Sequence, residues 1–251
     1  MKRAARRLLA LALMAIAATH AMAGEARIAV AANFAAPMHR IAADFERESG
    51  HRLLVSTGAT GKFFAQITNG APFEVFLAAD DETPARLERE GLAVSGSRFT
   101  YAIGRLVLWS ARASYVDERG AVLERGDFRH LALANPKTAP YGAAAEETLR
   151  SLGLLDKLRP RFVQGENIAQ TYQFVASGNA ELGFVALAQV SGGGAPAGGS
   201  QWIVPAAMHA PIRQEAALLA RGRDNPAALA FLAYLQSEKA KTVIRAYGYE
   251  L

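Results

Sequence analysis

Four turns in the sequence lie directly after a strand-like segment and directly before a helix-like one. They comprise residues 32–34, 59–61, 140–142 and 165–168. The first N–H groups of a helix have no acceptor inside the helix, and the helix dipole adds partial positive charge at that end. Each turn could therefore donate hydrogen bonds to a small anion, to which Asn33 and Thr60 could add side-chain donors. Asn and Thr at such positions also serve as ordinary helix caps, and the spacing alone leaves both interpretations open.

The turn at Thr60 belongs to the stretch STGATGKFF, which contains half of a phosphate-binding loop. The complete pattern, G-x-x-x-x-G-K-[ST], requires glycine where this chain has Ser56 and a hydroxyl residue where it has Phe63. The first glycine and the Mg²⁺-ligating hydroxyl are both missing, so the stretch is not a nucleotide-binding loop of this type. A turn of small residues leading into a helix is still suited to another anion.

An acidic run, Asp80-Asp81-Glu82, offers the alternative of catalytic chemistry. Neighbouring carboxylates could hold a divalent metal that hydrolyses phosphate esters. Acidic residues before Thr83-Pro84 are also what the first turn of a helix favours. The five histidines show no H-x-x-x-H or H-E-x-x-H spacing, and the chain has no G-x-S-x-G motif and no cysteine. The residues favour a binding protein over an enzyme and keep a metal-dependent hydrolase as the alternative.

The first 23 residues have the three zones of a secretory signal peptide. Residues 1–7 are basic, residues 8–18 are apolar, and residues 21–23 read Ala-Met-Ala, as cleavage sites do. The apolar run is too short to span a membrane. We therefore expect a mature chain of about 228 residues that starts at Gly24 and is exported to a bacterial periplasm. Without cysteine it would fold without disulfides and without a lipid anchor on that residue.

The net charge of +5 overstates how basic the mature protein would be. Four of the 28 basic residues lie in the leader, so the remaining 24 face 23 acidic residues. A nearly neutral, exported chain gives no support for nucleic-acid binding. Its 51% hydrophobic content is enough for a sizeable core, built as one large domain or as two lobes.

Strand-like and helix-like segments alternate along the chain, which predicts an α/β fold with mostly parallel sheets and helices on both faces. A long strand pattern at residues 99–110 is broken by Gly104, where the chain would cross to a second lobe. We expect residues 24–104 and 205–251 to form lobe 1 and residues 105–204 to form lobe 2. In folds of this kind ligands bind beyond the carboxyl ends of the strands, so the four turns could converge in the cleft between the lobes.

The pattern also predicts individual elements of both lobes. Residues 191–200 are rich in Gly and Ser and predict a flexible surface loop, and residues 226–246 predict one final helix. Strands are predicted at 27–31, 53–56, 73–79, 131–134, 161–163, 182–187 and 212–219. Helices are predicted at 36–49, 61–69, 143–152 and 167–177, with one more opened by residues 80–84 and ended by Gly91.

Three longer stretches together resemble a known family. They are AVAANFAAPMHRIAADFERESGHRL, STGATGKFFAQITNGAPFEVFLAADDETPARLEREGL and FLAYLQSEKAKTVIRAYGYEL. The combination of GATGKF, NGAPF and ADDE is similar to the periplasmic molybdate-binding proteins of ABC importers, from about residue 27 to the C-terminus. The resemblance implies a two-lobed type II periplasmic binding fold that closes on an oxyanion and delivers it to a membrane permease.

The resemblance also implies which residues contact the anion: Asn33, Thr60, Tyr141 and Ile168, one in each of the four turns. Asn33 and Thr60 would give side-chain and backbone donors, and Tyr141 and Ile168 mainly their backbone N–H groups. They would reach molybdenum through the oxyanion's oxygens, without direct coordination of the metal. The chain departs from the family where Ala32 replaces a hydroxyl residue and Ala186 replaces a tyrosine whose hydroxyl completes the shell of donors in one branch. Tyr141 could compensate for that loss.

The implied function is capture of molybdate, and by extension tungstate, by a monomeric periplasmic protein without cofactor or catalytic activity. Its partners would be the oxyanion and the membrane permease of the importer. A binding protein for sulfate or for a carboxylate shares the same implied fold and differs only in the chemistry of the cleft.

Overall fold

The computed structural model of the chain describes residues 23–191 and 198–251. Within these ranges the strands are β1 (Glu25–Ala31), β2 (Arg52–Gly58), β3 (Val75–Leu77), β4 (Phe99–Gly104), β5 (Leu106–Ser110), β6 (Leu131–Ala134), β7 (Phe162–Gly165), β8 (Leu182–Ala186), β9 (Ser200–Ile203) and β10 (Ile212–Leu218).

Helices follow most of these strands. They are α1 (Ala35–Ser49), α2 (Thr60–Thr68), α3 (Glu82–Arg89), α4 (Val122–Arg125), α5 (Pro140–Ser151), α6 (Leu155–Leu158), α7 (Ile168–Ala176), α8 (Leu187–Val190), α9 (Pro226–Leu235) and α10 (Glu238–Ala246). A short 3₁₀ turn, Ala32–Phe34, connects β1 to α1.

The strands form two five-stranded sheets of matching design. The first has the order β2-β1-β3-β10-β4 and the second the order β7-β6-β8-β5-β9. In each sheet the first three strands pair in parallel, the fourth is antiparallel to both of its neighbours, and the fifth thus returns to the first direction. Four of the five strands in each sheet therefore point the same way, which confirms the predicted two-sheet α/β architecture.

The chain passes from the first sheet to the second at Arg105, the single residue between β4 and β5. It returns through the residues after β9, because β10 belongs to the first sheet again. The passage between the sheets therefore follows directly after Gly104. Both sheets present the carboxyl ends of their parallel strands to the turns that begin α1, α2, α5 and α7.

Each sheet is covered by apolar side chains on both faces. Around the first sheet, Ile28, Val30 and Phe34 pack against Phe231 of α9, and around the second, Leu108, Leu133 and Phe184 pack against Leu149 of α5; all are fully buried. Such burial on both faces is typical of parallel strands flanked by helices. It holds the ends of the strands, and the turns that follow them, in fixed positions.

One prediction of secondary structure is wrong, and the short elements α4, α6, α8 and β9 were not predicted. The single helix predicted for residues 226–246 is two helices, because Ser237 accepts a hydrogen bond from the Ala240 N–H and begins α10 as its N-cap. Strand β9 was not predicted: its short segment pairs with the edge of β5. The predicted signal peptide and most of the predicted Gly/Ser loop lie outside the described residues.

None of the helices in residues 23–191 and 198–251 is long and apolar enough to cross a membrane.

Candidate functional site

A small cavity with about 210 Å³ of empty space lies where the turns after β1, β2, β6 and β7 meet. The structure brings together all four residues predicted for the site, since Asn33, Thr60, Tyr141 and Ile168 all line this cavity. They come from both sheets, two from each. The remaining lining is formed by small residues and turn residues: Ala31, Ala32, Gly58, Ala59, Ala79, Ala139, Pro140 and Asn167.

The first turn of α2 leaves one N–H group available at Thr60. The next three N–H groups are occupied: Gly61 donates to the Thr138 carbonyl at 2.9 Å, and Lys62 and Phe63 each donate to the Ala59 carbonyl at 3.1 Å. The Thr60 N–H is at the first helical position, which has no acceptor inside the helix. Among the described residues it has no other acceptor either. It is therefore free to bind a ligand in the cavity.

The first turn of α5 likewise leaves one N–H group available, at Tyr141. Pro140 occupies the first helical position and has no N–H, while Gly142 and Ala143 donate to the Ala139 carbonyl at 2.8 and 3.2 Å. Of the first-turn donors this leaves the Tyr141 N–H, which has no acceptor among the described residues. Proline at this position also fixes the direction in which the helix begins.

The first turn of α7 is capped by a side chain. Asn167 accepts hydrogen bonds from the N–H groups of Ala169 and Gln170 at 3.0 and 3.1 Å, which leaves the Ile168 N–H without an acceptor in the described part of the chain. In all three helices, therefore, the unpaired N–H belongs to the residue predicted to contact the anion. Their helix dipoles add positive potential at the same point.

The side chain of Thr60 is oriented toward donating. Its hydroxyl oxygen accepts a hydrogen bond from the Ala79 N–H at 3.0 Å, and the residue is only 1% exposed. Because the oxygen already accepts from the backbone, the hydroxyl proton is free to point elsewhere. Thr60 thus places a backbone N–H and a hydroxyl group at one point of the cavity lining.

The side-chain amide of Asn33 does not have the role that was predicted for it. Its amide nitrogen donates to Gln214 Oε1 at 2.8 Å and to the Tyr249 hydroxyl at 3.1 Å, so both of its hydrogens have protein acceptors. In this arrangement the expected side-chain donor of Asn33 is engaged inside the protein. Its backbone N–H, at the start of the 3₁₀ turn, has no acceptor among the described residues and is the donor that Asn33 can offer.

The hydroxyl oxygen of Tyr141 accepts from Gln214 Nε2 at 3.2 Å and lies beside Gly104, where the chain passes between the sheets. Compensation by Tyr141 for the tyrosine missing at Ala186 stays a prediction. Ala186 ends β8, fully buried and outside the cavity lining, and its N–H donates to Gln189 Oε1 at 2.9 Å. Gln189 in turn donates to the Ile168 carbonyl at 3.0 Å and so ties that turn to β8.

Three residues next to the cavity were missed by sequence reasoning: Tyr101, Gln214 and Tyr249. Each is buried and is hydrogen-bonded to Asn33, to Tyr141 or to Gln214. Burial raises the pKa of the hydroxyls of Tyr101, Tyr141 and Tyr249, so they stay protonated at neutral pH. A buried Gln at the centre of a strand is the one signal in the sequence that such a network exists.

Two polar contacts within the described part of the chain join the turns of the first sheet to those of the second. Besides the bond from Gly61 to the Thr138 carbonyl, Lys62 forms an exposed ion pair with Glu166. A Cβ at Gly61 would lie 3.0 Å from the Thr138 Cα, which is tighter than ordinary contacts. Glycine in the GATGKF turn therefore allows the two backbones to approach across the cavity, and Lys62 is not part of its lining.

A larger cleft with about 950 Å³ of empty space adjoins the cavity and is acidic. Its lining includes Asp80, Asp81, Glu82 and Glu147. Asp80 accepts from the N–H and the hydroxyl of Thr83 at 2.9 and 3.0 Å and so caps α3, and burial raises the pKa of its carboxyl. No group of three or more His, Cys, Asp or Glu residues within the described ranges is arranged to hold a metal ion. Asp80, the first residue of the acidic run, thus stabilises the start of a helix.

None of the described residues that line the small cavity carries a charge. What the cavity offers is unpaired N–H groups, one hydroxyl and the positive ends of three helices. Such a site can replace the water around a small dianion with directed hydrogen bonds, without a neutralising cation.

The chain passes twice between the two sheets, and an uncharged cavity suited to an oxyanion lies where their strands end. This arrangement is that of a solute-binding protein. The model of the family "Bacterial extracellular solute-binding protein" matches residues 26–250. The chain belongs to this family, which agrees with the expectation of a carrier and not an enzyme.

Its relatives include proteins named for one oxyanion. The chain is 59% identical to the molybdate-binding protein ModA of Azotobacter vinelandii, over 92% of each chain. It is 50% identical to the molybdate-binding protein ModA of Rhodobacter capsulatus, over 96% of this chain and 94% of that protein. A solved structure, the periplasmic molybdate-binding protein of Azotobacter vinelandii, is similar with a TM-score of 0.88 and 42% identity, over 90% of this chain and 99% of that one.

Proposed function

We propose that this protein captures molybdate in the small neutral cavity and delivers it to the membrane permease of an ABC importer. The observation that carries the proposal is the set of unpaired N–H groups at Thr60, Tyr141 and Ile168, joined by the Thr60 hydroxyl. Relatives with 59% and 50% identity are named as molybdate-binding proteins, which supports this ligand among the oxyanions. Tungstate has the same shape and charge and is proposed as a second ligand.

The chemistry of the cavity gives a basis for selectivity. Phosphate at neutral pH carries a proton, and its O–H would meet N–H and O–H donors where the cavity offers no carboxylate as acceptor, so phosphate is disfavoured. Sulfate has the same charge as molybdate and no proton, so the size of the cavity must discriminate against it. We expect the smaller sulfate to leave its hydrogen bonds to the fixed N–H groups long.

The proposed function also implies where the protein is exported and how its two lobes close on the anion. We propose that residues 1–23 direct export to the periplasm and are removed, and that the mature monomer has lobe 1 at residues 24–104 and 205–251 and lobe 2 at residues 105–204. Anchoring of donors on both sides of the cavity supports closure of two lobes on the anion, since the closed form gains contacts that neither side makes alone. The bond between Gly61 and Thr138 is such a contact.

The test is calorimetric titration of the purified mature protein with molybdate, tungstate, sulfate and phosphate in one buffer. We expect one-to-one binding of molybdate and tungstate, with sulfate and phosphate much weaker. Heat with sulfate and none with molybdate would refute the ligand and preserve the site. No heat with any oxyanion would refute the site itself.

A further inference from the structure

A buried network of hydrogen bonds adjoins the cavity and joins residues that are distant in sequence. We name its members, Asn33, Tyr101, Tyr141, Gln214 and Tyr249, the tyrosine–glutamine network; none is more than 4% exposed. Only Asn33 and Tyr141 line the cavity. The other three lie behind them and do not reach a ligand, so their contribution to binding has to be indirect.

Gln214 is the centre of this network. Its Oε1 accepts from Asn33 Nδ2 at 2.8 Å and from the Tyr101 hydroxyl at 3.0 Å, and its Nε2 donates to the Tyr141 hydroxyl at 3.2 Å. Asn33 follows a strand of the first sheet, and Tyr141 is on α5, which packs on the second. One side chain thus holds two lining residues from opposite sides of the cavity.

Tyr249 holds Asn33 at a second point. Its hydroxyl accepts from Asn33 Nδ2 at 3.1 Å and donates to the Asn33 backbone carbonyl at 2.9 Å. The bond to the carbonyl fixes the peptide plane after Asn33, and the bond to the amide fixes the side chain. Phe34, the next residue, packs edge-on against both Tyr101 and Tyr249, with ring centroids 4.8 and 5.4 Å apart. The 3₁₀ turn is therefore held from several directions.

A bulge in the sheet and a glycine make room for the network. The pairing of β4 with β10 skips Tyr101, because Gln214 pairs with Ala102 while Glu215 pairs with Thr100. This bulge leaves Tyr101 buried beside an equally buried Ala102, and bulges commonly redirect a side chain next to a functional site. At Gly104, a Cβ would overlap the Tyr141 hydroxyl and would lie 2.6 Å from Gln214 Nε2.

Most hydrogen bonds of the network use separate donors and acceptors. Asn33 uses both amide hydrogens, Gln214 Oε1 uses two lone pairs, and the Tyr249 hydroxyl both accepts and donates. The one proton of the Tyr101 hydroxyl is shared between Gln214 Oε1 and the Ala78 carbonyl, at 3.0 and 3.1 Å. A buried network with most of its donors and acceptors paired restricts its side chains to few arrangements. Rigid support behind a binding site lowers the cost of ordering its donors when the ligand arrives.

We propose that Gln214 and Tyr249 are positioning residues for the anion site, which hold the Asn33 N–H and the α5 turn at Tyr141 in the geometry that the anion requires. This rests on the proposed function and adds two residues to it that do not touch the ligand. The anion would thus be bound by donors whose positions are set from behind by a strand of the first sheet and by residues near position 250.

The decisive variant is Tyr249→Phe, which keeps the ring and removes both bonds to Asn33. We expect molybdate affinity to fall roughly 5- to 50-fold, the range for two lost hydrogen bonds. The matched control is Tyr247→Phe, two positions away, whose hydroxyl makes no hydrogen bond within the described residues; its affinity should stay within about twofold of wild type. Gln214→Leu should also lower the affinity for molybdate.

A double-variant cycle separates positioning from general destabilisation. Asn33→Ala removes one of the two bonds to Tyr249 and keeps the bond to the backbone carbonyl, so adding Tyr249→Phe to it should lower affinity by clearly less than Tyr249→Phe does alone. The proposal is overturned if the two effects multiply, or if Tyr249→Phe lowers only the thermal midpoint of the ligand-free protein and leaves molybdate affinity unchanged. Should Gln214→Leu fail to fold, the cycle with Tyr249→Phe still decides. A wild-type protein that does not bind molybdate would instead refute the proposed function.

Discussion

The small neutral cavity and the larger acidic cleft are neighbours that share Ala79, Ala139 and Pro140 in their linings. The cleft has more than four times the empty space and contains four carboxylates, whereas no residue described in the cavity lining is charged. In the cleft two of the carboxylates are occupied, since Asp80 caps α3 and Glu147 accepts from the Ala210 N–H at 2.7 Å. In the cavity the N–H groups of Thr60, Tyr141 and Ile168 have no acceptor among the described residues. We propose that free donors, and not volume or nearby charge, mark the place for an anion.

The largest effect should follow from making the cavity resemble the cleft. Thr60→Asp places a carboxylate among the donors, and two unit charges about 4 Å apart repel by about 4 kcal/mol at an effective dielectric constant near 20. For a dianion we expect affinity to fall by at least about 1,000-fold, measured by calorimetry.

The same charge placed in the cleft should have little effect. Ala210→Asp adds a carboxylate to an exposed position of the cleft lining, where solvent screens it, and affinity should change less than about threefold. Equal losses of affinity for Ala210→Asp and Thr60→Asp would show that the cavity and the cleft do not differ in function.

A smaller effect should follow from removing a single donor. Thr60→Ala deletes the hydroxyl and also leaves the Ala79 N–H without its acceptor, so binding of molybdate should weaken by about 1–3 kcal/mol. Thr60→Ser keeps the hydroxyl and should retain most of the affinity. Competition titration against wild type measures both variants, and an alanine variant that binds like wild type would contradict the role of Thr60.

Removing charge from the cleft should change rates more than affinity. Asp81 is half-exposed, 3.7 Å from Arg213, and Asp81→Asn lowers the negative potential that an approaching dianion meets. We expect association about two- to threefold faster at low salt, with the difference lost at high salt. Stopped-flow fluorescence at several ionic strengths checks this, and an unchanged rate at low salt would mean that the anion does not approach past the cleft.

The smallest effect should be on stability alone. Because burial raises the pKa of Asp80 above its ordinary value of 3.8, the folded state binds the proton more tightly than the unfolded chain. Wild-type stability then falls, relative to Asp80→Asn, as pH rises from 3.8 through the raised value. The melting temperature of Asp80→Asn minus that of wild type should therefore be larger at neutral pH than below pH 3.8. A difference that shrinks as pH rises would reverse the assigned sign.

The residues that begin and end helices made much of this fold predictable. Pro140 at the start of α5 and Gly50, with φ of 73° after α1, are local signals; the first marks a turn of the site and the second marks the end of a helix. The same local logic was available at Ser237, but the apolar pattern on both sides of it hid the break between α9 and α10. Short-range chemistry thus fixed the positions of the turns to within a few residues.

The support behind the site could not be predicted in this way. Tyr249 bonds to Asn33 across 216 positions and Tyr101 to Gln214 across 113, and no spacing rule connects residues so far apart. The direction of the Asn33 amide was also beyond prediction, because it depends on where Gln214 and Tyr249 lie. What a side chain donates to is decided by tertiary neighbours, even when its place at a helix start is decided locally.

The 216-residue separation between Asn33 and Tyr249 also bears on when during folding the anion can first bind. We expect the contact that closes so long a loop to form late, because its entropy cost is met only after most of the remaining contacts have formed. An anion that requires Asn33 to be in place would then not act as a folding nucleus and would stabilise only the finished structure, by mass action. Binding at the proposed site would thus be tied to completion of folding, and partly folded chains would not compete for the anion.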